Sequence, residues 1–176
     1  MEKLKDIDYK ILFELMRNSK VSDRELAKKS GVSQPTVSRR RNMMEDEGLL
    51  EYTAVPDLSK LGFEIMAISF SKWTSEALAE VLPTEKFAEQ VKEFLSKHPN
   101  VIFSATGGSG LRGMNSVSIS VHKDYGEYYN WVREIKNVWG KNVAEFESYI
   151  VSLGGKYVVR PITFKHLPDY IKKKIT

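Results

Sequence analysis

Cysteine is absent from this chain of 176 residues, which excludes disulfides, thiolate metal sites and cysteine nucleophiles. Histidine is scarce. His98, His122 and His166 lie far apart, without a spacing such as HExxH that would gather zinc ligands, so no metal or other cofactor is expected. No uninterrupted apolar run approaches the roughly 18 residues that would span a bilayer. The opening MEKLKDID is charged rather than apolar, so no secretory signal is expected and a cytoplasmic location is. A large excess of one charge is missing too. The formal net charge is only +4, so a case for a polyanionic partner must rest on where the charges sit.

What is present is enough for a real core. Apolar residues make up 41% of a length that suits one ordinary domain or two small ones. Basic residues cluster locally, at Lys20, Arg24, Lys28, Lys29 and Arg39 to Arg41, whereas Glu45, Asp46, Glu47 and Glu51 follow.

The basic cluster falls on the stretch Ser22 to Gly48, SDRELAKKSGVSQPTVSRRRNMMEDEG. Ser22 followed three residues later by Glu25 is a capping box, in which hydroxyl and carboxylate satisfy each other's backbone N–H groups, so a helix starts at Ser22. Gly31 can take the positive φ that ends it. Ser33 can cap a second helix, with Pro35 tolerated in the first turn because those N–H groups have no intrahelical partner. Ala27, four residues before Gly31, and Val37, six after it, supply the small and the branched apolar residue that two closely crossing helices need. The pattern predicts a helix-turn-helix.

Its second helix carries side chains suited to double-stranded DNA. Gln34, Thr36, Ser38 and Arg39, with Pro35 beside them, are candidates for base edges; Arg40, Arg41, Lys28 and Lys29 are candidates for phosphate oxygens. The bland alternative is a solvated helical hairpin that happens to carry three arginines. Capping box, small residue, turn glycine and second cap in register make that coincidence hard to sustain.

Around this core the periodicities predict further elements. Ile7, Ile11, Leu12, Leu15 and Met16 recur at helical spacing, so Asp6 to Asn18 reads as an amphipathic helix with Asp6 as its cap. After Gly48 the residues turn strand-like, which predicts a short strand or wing, and Pro56 to Gly62 reads as a linker. Strands are predicted at 63–73, 101–106, 115–123 and 143–153, and helices at Pro83 to Lys97 and from Asp124 to Gly140. The order βαββαβ is that of a ferredoxin-like unit, an antiparallel sheet with both helices on one face. Both faces of the first strand are apolar, so the face without helices is expected to pack against a second copy. The fold class is therefore α+β: a winged helix-turn-helix domain (1–52), a linker (53–62), a ferredoxin-like domain (63–155) and a basic tail (156–176), solvated or adding phosphate or oligomer contacts.

Two further features carry weaker chemistry. Gly108, Gly110 and Gly113 fit GxGxxG literally, but a strand rather than a helix follows, so a dinucleotide site is not expected. The loop is either a flexible hairpin connection or an anion site formed by bare N–H groups and Arg112. His122, at a strand end, reads as a surface or interface residue rather than an acid–base catalyst.

The stretch from Leu4 to Gly62, LKDIDYKILFELMRNSKVSDRELAKKSGVSQPTVSRRRNMMEDEGLLEYTAVPDLSKLG, resembles the Lrp/AsnC, or feast/famine, transcription regulators in order and spacing, and the likeness continues more loosely to about Leu153. The resemblance implies a winged helix-turn-helix, a linker strand and an effector-sensing domain that pairs through its sheet into homodimers, which assemble further into tetramers or octamers. It also implies an amino acid or related metabolite bound between dimers, near the loop joining the second and third strands. On this chain that loop supplies Gly107, Gly108, Ser109, Gly110, Arg112 and Asn115. Two departures stand out: Arg41 occupies a position that is usually apolar, so its side chain either turns to phosphate or covers the core with its stem, and the loop lacks the family's acidic residues. The expected function is that of a DNA-binding regulator and not an enzyme. Two readings compete with it, a sirohaem-decarboxylase-like enzyme on the same architecture and a metabolite-binding protein that does not act on DNA.

Overall fold

The computed structural model describes residues 4–107, 110–154 and 158–175, so Gly108, Ser109 and the expected strand-like Tyr157 lie outside the described residues. The chain divides into two compact units. One holds the residues up to Val55 together with the segment from Arg160 onward; the other runs from Pro56 to Val159.

The first unit is built on three helices, α1 (Asp6–Arg17), α2 (Asp23–Ser30) and α3 (Gln34–Asp46). Asp6 does not cap α1. Lys5 stands at the cap, and its N–H donates to the Asp8 carboxylate at 2.7 Å, because Asp8 is the acidic residue one turn inside the helix. At α2 the reciprocal box forms as its residues require: Ser22 Oγ accepts from the Glu25 N–H at 3.3 Å, and Glu25 accepts from the Ser22 N–H at 3.0 Å. Gly31 ends α2 at φ +71°, and Ser33 Oγ accepts from the Thr36 N–H to open α3. Ile11, Leu15, Leu26, Ala27, Val37 and Met44 form the shared core. No strand forms between α3 and Gly62. Leu49 and Leu50 pack back onto the core, and from 51 to 57 the chain is irregular and exposed, so the wing expected there is not a paired strand.

A sixth helix, α6 (Leu167–Ile175), belongs to this unit; the segment expected as a basic tail is helical here. It docks on α1. Arg17 meets Asp169 at 2.6 Å, the Lys172 ammonium lies 5.7 Å from the Phe13 ring, and Pro168 is buried.

In the second unit β1 (Ile65–Trp73), α4 (Glu85–Lys97), β2 (Val101–Thr106), β3 (Ser116–His122), α5 (Tyr125–Trp139) and β4 (Val143–Ser152) follow in the predicted order. The strands form one antiparallel sheet in the order β2-β3-β1-β4, as a ferredoxin-like unit requires. Thr84, just after Pro83, caps α4, its hydroxyl accepting from the Phe87 N–H. Ala77 to Val81 add a wide helical turn after β1 that periodicity does not reveal.

Register assigns the two faces. Ala67, Ser69 and Ser71 stand opposite Ser120, Ser118 and Ser116 on the side that α4 and α5 cover. Trp73, on the same side, packs edge-on against Phe87 at 5.4 Å and Trp139 at 5.7 Å; such pairs contribute about 0.5–1.5 kcal/mol each beyond area burial. The other side pairs Met66 with Val121, Ile68 with Ile119 and Phe70 with Val117. The helices thus take the serine face, and the aliphatic face is left open.

Candidate nucleic-acid interface

The outward surface of α3 follows from which of its residues are buried. Val37, Arg40 and Met44, spaced three and four apart, form one inward stripe, so Pro35, Arg39 and Asn42 form the opposite one. Gln34, Pro35 and Arg39 are exposed, and Thr36, whose hydroxyl shares a hydrogen bond with Ser33 at 2.8 Å, is half-buried. Capping by Ser33 leaves the first turn of α3 rigid and polar.

The three consecutive arginines take three different roles. Arg40, expected to meet phosphate, is buried and grips the buried Asp8 carboxylate with Nε and Nη2, because its position falls on the inward stripe. Burial opposes the charge on Asp8, yet the hydrogen bonds from Arg40 and from the Lys5 N–H, with the charge of Arg40, outweigh it and hold the carboxyl below its usual range. Arg41 is half-buried. It bonds Asp23 at 2.8 Å and Glu45 at 3.3 Å and lies 4.9 Å from the Tyr52 ring, so it ties α3 to α2 and to the segment after it. Arg39 is exposed and has no hydrogen bond or ion pair among the described residues.

Other expected contacts divide in the same way. The Ser38 hydroxyl donates to Asp23, which together with Arg41 holds that carboxyl below its usual range; Ser38 is thus engaged within the unit. Lys29 is bonded to Glu14 at 2.6 Å, while Lys28 is exposed and unpaired among the described residues. Two residues outside the expected set share this surface. Arg24, one turn before Lys28, and Asn42, one turn beyond Arg39, are both exposed and unpaired among the described residues. Their spacing from Lys28 and Arg39 is the signal that could have found them.

The loop between β2 and β3 differs from its expected form. The Gly107 N–H donates to the Asn115 carbonyl at 2.9 Å and the Gly110 N–H to Met114 at 2.7 Å, so neither is bare. Asn115 is a bracket. Its side-chain oxygen accepts from the Trp73 N–H at 3.0 Å, and its own N–H bonds the Ser71 carbonyl. Arg112 is exposed, lies 3.4 Å from Glu147 and adopts φ +58°. His122 is fully buried beneath α5, not on the surface. Asn100 donates to its Nδ1, Ser120 lies 2.9 Å from Nε2, and burial lowers its pKa against a smaller opposing effect of Glu127.

Comparison with known proteins agrees with this arrangement. The winged helix-turn-helix DNA-binding family matches residues 4–51. The HTH-type transcriptional regulator LrpC of Bacillus subtilis is 33% identical over 127 residues, a match that covers 70% of this chain and 81% of LrpC. An uncharacterised HTH-type regulator of Pyrococcus furiosus, PF1734, is 32% identical over 103 residues, 58% of this chain and 64% of that protein. Among solved structures, Escherichia coli AsnC superposes with a TM-score of 0.65 over 91% of this chain and 98% of its own, at 18% identity. A regulator from Neisseria meningitidis in complex with L-Met, NMB0573, gives 0.68 over 94% and 99%, also at 18%. The class is that of two-domain helix-turn-helix transcription regulators. Within it, the chain belongs to the Lrp/AsnC family.

Proposed function

We propose that this chain is a sequence-specific DNA-binding transcription regulator that works as a homodimer in the cytoplasm and is not an enzyme. The observation that carries the reading is Arg39, exposed and unpaired among the described residues on the polar, serine-capped second helix of a helix-turn-helix. Gln34, Pro35, Thr36 and Arg39 meet base edges in the major groove; Lys28 is a phosphate contact, and Arg24 and Asn42 extend the surface. Ser38 and Arg41 act by holding α3 on α2, and Lys29 by holding α2 on α1.

The open sheet face supports the dimer. Phe70, Phe103 and Tyr149 are exposed beside Ile68 and Ile119, an apolar area that a monomer would leave in water. A single helix-turn-helix reads one half-site, so two copies match a palindromic operator. Dimers of this family type combine further into tetramers or octamers.

An amino acid or related metabolite is the proposed effector, supported by the family and by the L-Met complex of the neisserial regulator. Arg112 is the residue of the β2–β3 loop that would meet its carboxylate, in exchange for the 3.4 Å contact with Glu147.

Selection of bound duplexes from a randomised library tests the reading. An enriched inverted repeat, whose affinity falls steeply with salt, is expected. No retention of any duplex at low salt would overturn it.

A further inference from the structure

The second unit has a partly open cavity of about 100 Å³ between the sheet and its helices. The floor is a set of hydroxyls: Ser71 from β1, Ser104 and Thr106 from β2, Ser116 and Ser118 from β3. The opposite wall is apolar, with Phe87, Val91 and Phe94 of α4. Trp73, Trp131 and Trp139 complete it, and these are all the tryptophans in the chain. None of the lining residues is charged.

Two observations distinguish this cavity from a packing void, which is ordinarily lined by apolar groups and dry. First, it holds unused hydrogen-bonding capacity. The hydroxyls of Ser71, Ser104 and Ser118 have no partner among the described residues, and neither has the buried Nε1–H of Trp131. Second, one hydrogen-bond chain runs along its lining. Trp73 Nε1–H donates to Ser116 Oγ at 2.6 Å, and Ser116 donates to Thr106 Oγ1 at 2.9 Å. The Thr106 hydroxyl donates to no acceptor among the described residues. Because β2 is the edge strand, Ser104 and Thr106 are also exposed, so the floor reaches solvent there.

We propose that this cavity is a binding site for a small uncharged molecule with one apolar ring and one amide-like head. The ring lies against Phe94, Val91 and the tryptophans, and the head accepts from Thr106 and bonds the serine hydroxyls. A carboxylate or a zwitterion is disfavoured because none of the lining residues carries a compensating charge, whereas an amide-like head can use the hydroxyls. An apolar cavity of about 150 Å³ admits benzene, and about 100 Å³ is smaller, so the ring can enter only with its head extending through the open edge at β2. The site uses none of Gly107, Gly110, Arg112 and Asn115, to which the amino-acid effector reading points, and it does not depend on DNA binding.

The test titrates the full chain with benzamide and, separately, with benzoate, which has the same ring and a carboxylate head, and follows tryptophan fluorescence. A saturable change with benzamide is expected, with benzoate at least about tenfold weaker. Ser104→Phe, which fills the open edge, should remove the response while leaving the thermal midpoint unchanged. Thr106→Val keeps the shape and removes the donor, so it should weaken benzamide by about three- to tenfold, and it carries the test alone should Ser104→Phe not fold. Absence of a saturable change with benzamide, equal binding of benzoate, or a Thr106→Val protein that titrates as the parent does would each overturn the proposal.

Discussion

Asp8 on α1 and Arg40 on α3, 32 residues apart, form a two-pronged ion pair inside the three-helix unit, where both side chains are almost wholly buried. The pair ties α3, which carries Arg39, to α1. Breaking such a pair leaves one charge buried alone. Asp8→Ala or Arg40→Ala should therefore cost about 3–5 kcal/mol in urea unfolding, whereas the surface change Arg39→Ala should stay within about 0.5 kcal/mol. The folded carboxyl of Asp8 lies below its unfolded value, so its contribution is present above the unfolded pKa, near 3.9, and is lost as pH falls through the folded one. Asp8→Asn should flatten that acid limb; an unchanged limb would assign the loss to other carboxylates.

Much of this was legible in local sequence signals, and the exceptions have physical causes. Ser22 with Glu25, Gly31 and Ser33 with Pro35 act within a few residues of themselves, so the helix-turn-helix could be read directly. Arg40 was hidden in a run of like charges because its partner lies on another helix. Yet it occupies the same stripe as Val37 and Met44, as Asp8 does with Ile11 and Leu15, and two opposite charges in facing apolar stripes are a signal. Alternation along β3 separates the serines from Val117, Ile119 and Val121, but only tertiary packing decides which side the helices take. The helix α6 escaped because its short amphipathic pattern follows a stretch without caps.

His122 provides a second pH dependence of the opposite chemical type. Burial holds its folded pKa below the usual histidine value of about 6.5. The unfolded chain then takes up the proton first, so stability is full above about pH 6.5 and falls as acid is added toward the folded pKa. Denaturant midpoints measured across this range should drop for the parent and drop less for His122→Gln. Parallel curves would show that His122 does not titrate with unfolding.

The docking of α6 predicts a stabilising role for the end of the chain. Ending it after Val158 removes the Arg17–Asp169 contact, the Lys172 approach to Phe13 and the buried Pro168. A loss of about 1–3 kcal/mol in the first unit is expected, with the exposed ion pair the smallest part. Unfolding of the shortened chain at the parent's denaturant concentration would contradict this.

The open sheet face can be tested by charge. Ile119 pairs with Ile68 on β1 and with Phe103 on β2, near the middle of that face. Ile119→Lys should leave the secondary structure in place and reduce the light-scattering mass from two or more chains to one. A parent protein that already scatters as one chain would refute the dimer.

The central claim is that α3 reads DNA sequence through Arg39. The direct measurement is the affinity of the parent and of Arg39→Ala for the selected operator and for random duplex, each at several salt concentrations. A loss of about 1–3 kcal/mol on the operator, with a much smaller loss on random DNA, is predicted for a bidentate guanine contact. An equal loss on both would reduce Arg39 to a phosphate contact, and no loss on either would contradict the account.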